Sequence, residues 1–310
     1  MKTRAIGALR VSEIGLGCNN FGGRLDAART ADVVRAALDA GINFFDTADV
    51  YGETRSEEYL GRALGSLRAQ VVVATKFGMP VPGGSGGASP AYVKQALDAS
   101  LRRLRTDYVD LYQLHRPDPA VPIAETLGAL GDLVKVGKVR EIGSSNFSAQ
   151  QIREASTARP GGTNFVSVQN EYSLLHRTPE LDVLRECAER GVAFIPYFPL
   201  ASGLLTGKYL PGEPPPSGTR LTEANSWFAS RFLHDDQIAL VGKLDALAKR
   251  RGHTILGLAF AWLLGRSGIA SVIAGATSPA QVRANAAATR WALSAADFAE
   301  IDRIAPPAQA

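Results

Sequence analysis

Hydrophobic and polar residues divide this chain into short apolar segments that alternate with longer amphipathic ones. The apolar segments have the length of strands, and the longer segments have the pattern of helices that bury one face. The predicted strands cover residues 14–18, 42–47, 71–77, 108–115, 139–146, 165–170, 191–197 and 269–275. Helices are predicted over residues 30–40, 56–64, 90–104, 123–136 and 180–190, with two more beginning near Ser148 and Ser278.

This order of strands and helices predicts an α/β protein with a closed (β/α)8 TIM barrel. Strand–helix–strand repeats join parallel strands by right-handed crossovers, and continuously apolar strands are buried on both faces. A doubly wound open sheet is the alternative. The eight units leave no obvious second domain, so residues 1–310 are expected to form one barrel domain. Residues 3–12 are expected to form a short hairpin that closes the bottom of the barrel.

The region from residue 199 to about 236 interrupts the alternation, because it is rich in Pro and Gly and has few strand-forming segments. Long irregular loops in compact domains are usually functional or disordered. This loop follows the seventh predicted strand, on the face of a barrel where active sites form. We therefore predict a lid over a ligand, with a variable surface insertion as the alternative.

Composition and charge argue against several classes of protein. The 310 residues carry a net charge of +4, but the Lys and Arg residues are scattered and form no basic block for nucleic acid. Cys18 and Cys187 lie far apart, which argues against a disulfide framework and a cysteine metal site. Neither a secretory leader nor an apolar segment of roughly 20 residues is found, so a cytoplasmic protein without a membrane span is expected.

Titratable side chains stand at the ends of three successive predicted strands. Asp46 ends the second strand and Tyr51 follows five residues later, while Lys76 ends the third strand and His115 the fourth. Each residue alone has an ordinary explanation, such as a helix cap, a surface amine or a packed imidazole. Because the active site of a barrel forms where the strands end, the four residues together predict one.

Seven segments, in order along the chain, carry a more specific resemblance. They read FFDTADVYG, VVVATKFG, LYQLHRPD, IGSSNFS, SVQNEYSLL, YFPLASGLLTGKY and AGATSPAQVRAN. Over nearly its whole length the chain resembles the aldo-keto reductases, in the branch similar to potassium-channel β-subunits. The resemblance implies an eight-stranded barrel that reduces aldehydes or ketones with a nicotinamide cofactor. No GxGxxG fingerprint of a Rossmann fold follows a predicted strand, which agrees with that family.

The resemblance implies a role for each of the four titratable residues. Tyr51 would donate the proton to the carbonyl oxygen, and Lys76 would lower the pKa of its phenol, which is about 10 when free. Asp46 would pair with Lys76 and fix its position, and it is also expected beside the cofactor. His115 would hydrogen-bond the substrate oxygen and orient the carbonyl.

The same resemblance implies a set of residues that bind the cofactor. Three polar residues would hold the nicotinamide carboxamide, Tyr197 would stack on its ring, and later segments would hold the pyrophosphate and the adenosine. The set is Asp46, Ser145, Asn146, Gln169, Tyr197, Phe198, Leu200, Ser202, Gly203, Lys208, Arg220, Gly275, Thr277, Gln281 and Asn285.

Two residues depart from the usual pattern of the family. Phe198 replaces the more usual Ser after the stacking aromatic, which removes a hydroxyl near the pyrophosphate. Gln281 stands where many members of the family have Arg. Arg283 is a candidate substitute, but its position on the helix is expected to turn its side chain outward. NADPH is the expected cofactor, because the channel-like branch with similar Gln-containing patterns uses it, and use of NADH stays open.

The expected partner is a small carbonyl compound, with neither nucleic acid nor a membrane involved. The substrate pocket is expected to contain Asn19, Phe21, Tyr51, His115, Trp227 and Phe228. Trp227 has an equal alternative role in packing the loop onto the barrel. A cofactor-binding sensor with weak turnover is the alternative function. A barrel hydrolase or isomerase is less favoured, because no metal-ligand cluster or Ser/His/Asp triad supports it, and the oligomeric state is left open.

Overall fold

Eight parallel strands form the barrel that the sequence predicts. The computed structural model describes residues 1–222 and 227–308. The barrel strands are β3 (Ile14–Gly17), β4 (Phe44–Asp46), β5 (Val72–Phe77), β6 (Val109–Leu114), β7 (Val139–Ser145), β8 (Ser167–Glu171), β9 (Ala193–Tyr197) and β10 (Val272–Gly275). Their order around the sheet is β10-β3-β4-β5-β6-β7-β8-β9, and every pair is parallel.

The ring closes between β9 and the segment that leads into β10. Phe194 of β9 donates its backbone N–H to the carbonyl of Gly268, and Ala270 donates to the carbonyl of Phe194, both at 2.9 Å. The strand predicted from residue 269 therefore starts too early. Ile269 forms an isolated bridge to Phe194 of β9, and the paired strand β10 begins at Val272.

An N-terminal hairpin closes the bottom of the barrel, as predicted. Its strands β1 (Thr3–Ile6) and β2 (Leu9–Ser12) pair antiparallel. Ile6, Leu9 and Val11 are buried in one apolar cluster with inward-facing barrel residues such as Phe44 and Leu111. The hairpin excludes water from the lower end of the ring, which leaves the ends of the strands at the upper rim as the open face.

Helices surround the barrel and cover its apolar strands. They are α1 (Ala27–Asp39), α2 (Arg55–Leu64), α3 (Pro90–Leu104), α4 (Ile123–Lys135), α5 (Ala149–Thr157), α6 (Val183–Arg190), α7 (Trp227–Phe232), α8 (Asp235–Arg250), α9 (Ile255–Leu264), α10 (Pro279–Ala287) and α11 (Ala295–Ile304). Within the described ranges, none of these helices has the length and apolarity to cross a membrane.

The helices α5 and α10 begin directly after side chains that accept hydrogen bonds from N–H groups of the first turn. Ser148 and Ser278 cap α5 and α10, as predicted, by accepting hydrogen bonds from the backbone of Gln151 and Gln281. The long loop after β9 is less irregular than its composition indicated. It contains a 3₁₀ turn over Ala201–Thr206 and the helix α7, although residues 223–226 lie outside the described chain.

Below the rim, the buried carboxylate of Asp110 connects strands β5 and β6 and pairs with two arginine side chains. Asp110 of β6 is fully buried and accepts a hydrogen bond from the backbone N–H of Val73 at 2.9 Å. It also pairs with Arg68 and Arg140, each at 2.8 Å. Because Arg68 is itself largely buried, loss of its carboxylate partner leaves a desolvated charge.

We predict that Asp110→Ala lowers the free energy of unfolding by about 3 kcal/mol, since one partner of a buried pair is removed. Urea unfolding followed by circular dichroism measures the change. Asp98→Ala is the matched control, because the Lys138–Asp98 pair is nearly half exposed and such pairs contribute about 1 kcal/mol or less. Equal effects in the two variants would contradict the prediction.

Candidate active site

A cavity of about 680 Å³ opens at the upper rim of the barrel, where all eight strands end. Its walls come from the strand ends, the segment after β9 and the start of α10. Of the residues expected around the site, the following line it: Asn19, Asp46, Tyr51, His115, Ser145, Asn146, Gln169, Tyr197, Phe198, Leu200, Ser202, Gly203, Lys208, Arg220, Trp227, Gly275, Thr277, Gln281 and Asn285.

A buried ion pair lies at the floor of this cavity. The Lys76 ammonium is 2.6 Å from Oδ2 of Asp46 and donates to the carbonyl of Thr47 at 3.0 Å. Gln113 and Gln169 donate their side-chain amides to Oδ1 of Asp46, at 3.2 Å and 2.9 Å. Burial is the largest single effect and lowers the pKa of Lys76, but the charges and hydrogen bonds of Asp46 and Tyr51 together outweigh it, so the pKa is raised.

Tyr51 stands above the ion pair on the loop between β4 and α2. Its hydroxyl is 3.4 Å from the Lys76 amine. The loop turns back because Gly52, Glu53 and Thr54 all have a positive φ. A Cβ at Gly52 would lie 2.2 Å from the carbonyl oxygen of Phe21, so this position admits only glycine.

The pKa of Tyr51 differs from the expectation. Burial raises the pKa of the phenol above its usual value, and the charge of Lys76 opposes this without reversing it. Lys76 therefore acts in the predicted direction, but the net shift in this structure is upward. The phenol is protonated at neutral pH, which is the state that a proton donor requires.

His115 faces Tyr51 across the cavity floor as a neutral imidazole. The two rings make an edge contact with centroids 5.8 Å apart. Burial lowers the pKa of His115 to about 3, with further contributions from the charges of Lys76 and Arg116. The imidazole therefore carries no charge at neutral pH, and it can act on a bound oxygen only as a neutral hydrogen-bonding group.

Polar side chains from β7, β8 and β9 form a connected network beside this group. Tyr197 donates its hydroxyl to Oδ1 of Asn146 at 2.8 Å, and Asn146 donates to the carbonyl of His115 at 3.0 Å. Ser145 donates its hydroxyl to the carbonyl of Gln169 at 2.7 Å. The network fixes the ring of Tyr197 on the cavity wall.

The segment after β9 follows a strained path along the cavity. Phe198, Ala201 and Ser202 have positive φ values although none is glycine. The ring of Phe198 packs edge-on against Phe228 and Phe232, with centroids 5.8 Å and 6.1 Å away. The substitution of Phe for the usual Ser thus anchors α7 on the barrel rim.

Three cations, Lys208, Arg24 and Arg220, line the cavity. The pKa of Lys208 is lowered by burial and by the charges of Arg24 and Arg220. A Cβ at Gly203 would lie 3.1 Å from Nζ of Lys208, so the amine lies directly over this glycine. Nearby, the hydroxyl of Ser202 is buried and has no hydrogen-bond partner among the described residues. Such a cluster suits a bound anion.

The start of α10 forms the adjoining wall. Gln281 accepts the backbone N–H of Thr277 at 2.7 Å, so its side chain closes the turn that precedes the helix. Asn285 is buried, whereas Arg283 is exposed and does not belong to the cavity wall. The outward direction expected for Arg283 is therefore what the structure has.

Two residues of the expected substrate pocket do not line the cavity. Asn19 and Trp227 line it, and Trp227 keeps 59% of its surface exposed. Phe21 does not: its side chain is fully buried in the hydrophobic core, and its backbone carbonyl faces Gly52. Phe228 likewise packs against Phe198 and not into the cavity.

The sequence reading missed Gln113, which holds Asp46 from β6. A signal was available, because Gln113 lies two residues before His115 and strand residues two apart share a face. It also missed Arg24, Arg116 and Arg231 on the cavity wall. No group of three or more His, Cys, Asp or Glu side chains in the described ranges could hold a metal ion.

A parallel eight-stranded barrel with this set of groups at its rim fits the family that the sequence resembles. The chain belongs to the aldo/keto reductase family, whose sequence model matches residues 13–306. It is 36% identical over 306 residues to aldo-keto reductase YhdN of Bacillus subtilis, a match covering 96% of this chain and 90% of that protein. A probable voltage-gated potassium channel subunit beta of Arabidopsis thaliana is 36% identical over 285 residues, covering 89% and 87%.

Solved structures give the same result. An aldo-keto reductase of Bacillus halodurans in its holo form has a TM-score of 0.83 and 32% identity, covering 99% of this chain and 97% of that chain. An aldo/keto reductase from Klebsiella pneumoniae in complex with NADP and acetate has a TM-score of 0.78 and 30% identity, covering 100% and 98%. The predicted family, branch and fold are thereby confirmed.

A second buried carboxylate lies behind the Tyr51 loop. Burial and the charge of Glu57 raise the pKa of Asp49 to about 7. Glu57 is held by the hydroxyl of Thr75 at 2.5 Å and by Nε of Arg103 at 2.6 Å. Asp49 binds its proton more tightly when folded than when unfolded, so it adds stability below pH 4 that is lost as the pH rises through 7.

We predict that Asp49→Asn removes this pH dependence. Between pH 5 and pH 8, the wild type should lose about 2–3 kcal/mol of unfolding free energy relative to the variant. Urea unfolding at each pH measures the difference. Glu53→Gln, at an exposed carboxylate of the same loop, should give a curve parallel to the wild type. A parallel curve for Asp49→Asn would refute the assigned pKa.

Proposed function

We propose that this protein reduces the carbonyl group of a small aldehyde or ketone with NADPH, in a reaction that also runs toward alcohol oxidation. One observation carries the proposal: the Tyr51 hydroxyl lies 3.4 Å from the Lys76 amine, beside His115, on the floor of a cavity whose wall carries Arg24, Lys208 and Arg220. When bound, NADPH supplies the hydride.

The cavity wall fits such a dinucleotide. Tyr197 offers a ring that its hydrogen bond to Asn146 holds in place, which suits stacking on the nicotinamide. Lys208 and Arg220 supply positive charge, and the unpartnered hydroxyl of Ser202 supplies a donor for the pyrophosphate. The NADP in the Klebsiella relative supports the same choice of cofactor.

Proton transfer follows from the floor of the cavity. Tyr51 is protonated at neutral pH and can donate its proton to the oxygen of a bound carbonyl. Lys76 stabilises the phenolate that this leaves, and Asp46 holds the ammonium in place. Neutral His115 orients the same oxygen by a hydrogen bond without competing for the proton.

A cofactor-binding sensor with weak turnover is the second candidate, favoured by the similarity to the plant potassium channel subunit. A steady-state assay with a panel of aldehydes, read from cofactor absorbance, separates the two functions. Turnover supports the reductase. Cofactor binding without turnover of any carbonyl supports the sensor.

We predict that Tyr51→Phe lowers carbonyl reduction by about 10²–10⁴-fold, because the proton donor is removed. Cofactor affinity, measured by titrating protein fluorescence, should stay close to the wild-type value. Tyr59→Phe on α2 is the matched control, since this half-buried tyrosine lies outside the cavity wall. Turnover of Tyr51→Phe at the wild-type rate would exclude Tyr51 as the donor.

We predict that Lys76→Met shifts the pH profile of alcohol oxidation to higher pH. Oxidation needs the phenolate of Tyr51, and loss of the neighbouring ammonium makes that form harder to reach. The pH dependence of kcat for a simple alcohol measures the shift. The double variant Asp46→Asn with Lys76→Met, which also removes the partner carboxylate, should shift in the same direction. An unchanged profile in both variants would show that the amine does not act on the phenol.

A further inference from the structure

Arg116 brings a second positive charge to the cavity, at the end that holds Tyr51. It directly follows His115 at the end of β6, and it is exposed on the cavity wall. Burial dominates the pKa shifts of His115 and Tyr197, and the charge of Arg116 lowers the pKa of both. Arg116, His115 and Tyr197 also line the same cavity, so the guanidinium faces the space that holds the expected reaction centre.

Arg116 and Arg220 belong to opposite sides of the ring. Strands β6 and β10 stand opposite each other, with three strands between them on either side. Arg116 follows β6, whereas Arg220 donates to Oδ1 of Asn20 at 2.6 Å, and Asn20 donates to the carbonyl of Ala276, just after β10, at 3.3 Å. Arg116 therefore brings positive charge to the side of the ring opposite the one that Arg220 contacts.

Among the described residues, the charge of Arg116 has no partner. Across residues 1–222 and 227–308, its guanidinium makes no ion pair and donates no hydrogen bond. Arg231, also on the cavity wall, differs in this respect because Glu171 neutralises it at 2.5 Å. Arg116 is therefore the cation near His115 that is available to a ligand.

The backbone around Arg116 is held in place before any ligand binds. Pro117 restricts the backbone of the residue that precedes it to extended conformations. Asp118 accepts the backbone N–H groups of Ala88 and Ala120, at 2.8 Å and 2.9 Å, which fixes the loop to its neighbour. The backbone that carries Arg116 therefore loses little conformational entropy when the guanidinium binds an anion.

We propose that the substrate is an aldehyde or ketone that carries an anionic group, and that Arg116 binds this group while Tyr51 and His115 face the carbonyl. This inference rests on the proposed reductase function and specifies its substrate class. A guanidinium pairs with a carboxylate or phosphate through charge-assisted hydrogen bonds, and Arg116 has no competing partner within the described residues.

The test compares two aldehydes, 4-carboxybenzaldehyde and its methyl ester. At the same ring position, the first carries a charged carboxylate and the second an uncharged ester. The ratio of their kcat/KM values, acid over ester, should fall about tenfold in Arg116→Gln, mainly through KM of the acid. Arg116→Lys should keep most of the preference, and Arg35→Gln, an exposed arginine of α1 outside the cavity wall, should keep all of it. Added salt should lower the wild-type ratio, since an exposed charge is screened.

A second pair, glyceraldehyde 3-phosphate and glyceraldehyde, distinguishes a phosphate from a carboxylate. The pair whose ratio falls more in Arg116→Gln identifies the natural anion. If both ratios are the same in wild type and Arg116→Gln, the proposed substrate class is wrong while the reductase function stands.

A binding measurement keeps the two proposals separable. Calorimetry with terephthalate, a dicarboxylate without a carbonyl to reduce, reads the anion site without turnover. Terephthalate should bind about tenfold more weakly to Arg116→Gln than to wild type or Arg35→Gln. If terephthalate binds more weakly to Arg116→Gln and no aldehyde is turned over, the anion site is supported and the reductase function is rejected. Equal binding to the wild type and Arg116→Gln overturns the anion site.

Discussion

The buried pair of Lys76 and Asp46 is the interaction on which the candidate site depends. Removing an ammonium and a carboxylate from water costs several kcal/mol each, which their attraction offsets only if other hydrogen bonds complete the site. Here the carbonyl of Thr47 and the amides of Gln113 and Gln169 complete it. Together with Lys76 on β5, these groups come from four strands or strand ends, β4, β5, β6 and β8, so the pair is satisfied only when the barrel has its observed register.

The same pair sets the protonation states above it. The field of the ammonium favours ionisation of Tyr51 and disfavours protonation of His115, and burial works against any charge on either group. The result at neutral pH is a protonated phenol beside a neutral imidazole. One fixed cation thus gives a proton donor and a hydrogen-bonding partner different roles at the same oxygen, without a metal ion in the proposed chemistry.

The sequence predicted those parts of the structure that short segments of the chain determine. Asp46, Lys76 and His115 were found because each ends an apolar strand, and Tyr51 because it follows Asp46 on the next loop; the resemblance then assigned their roles. The bounds of α9 were not predicted, because most of its residues are buried all around, which removes the amphipathic period. The upward pKa shift of Tyr51 was missed because burial arises from long-range packing. Phe21 was misplaced for a related reason: its surroundings depend on the return of the loop at Gly52.

Within the described residues, the loop after β9 packs onto the barrel rim through α7, which covers one side of the cavity. Phe198 anchors α7 through Phe228 and Phe232, and Arg231 of α7 pairs with Glu171 at the end of β8. An apolar and an ionic contact to two neighbouring strand ends hold the helix over one side of the cavity. Trp227 and Arg231 of α7 line the cavity, and Trp227 is largely exposed. Phe198, which stands where the family usually has Ser, thus makes a structural contact to this cover, and the anion contacts that we propose fall to Ser202 and the cations on the cavity wall.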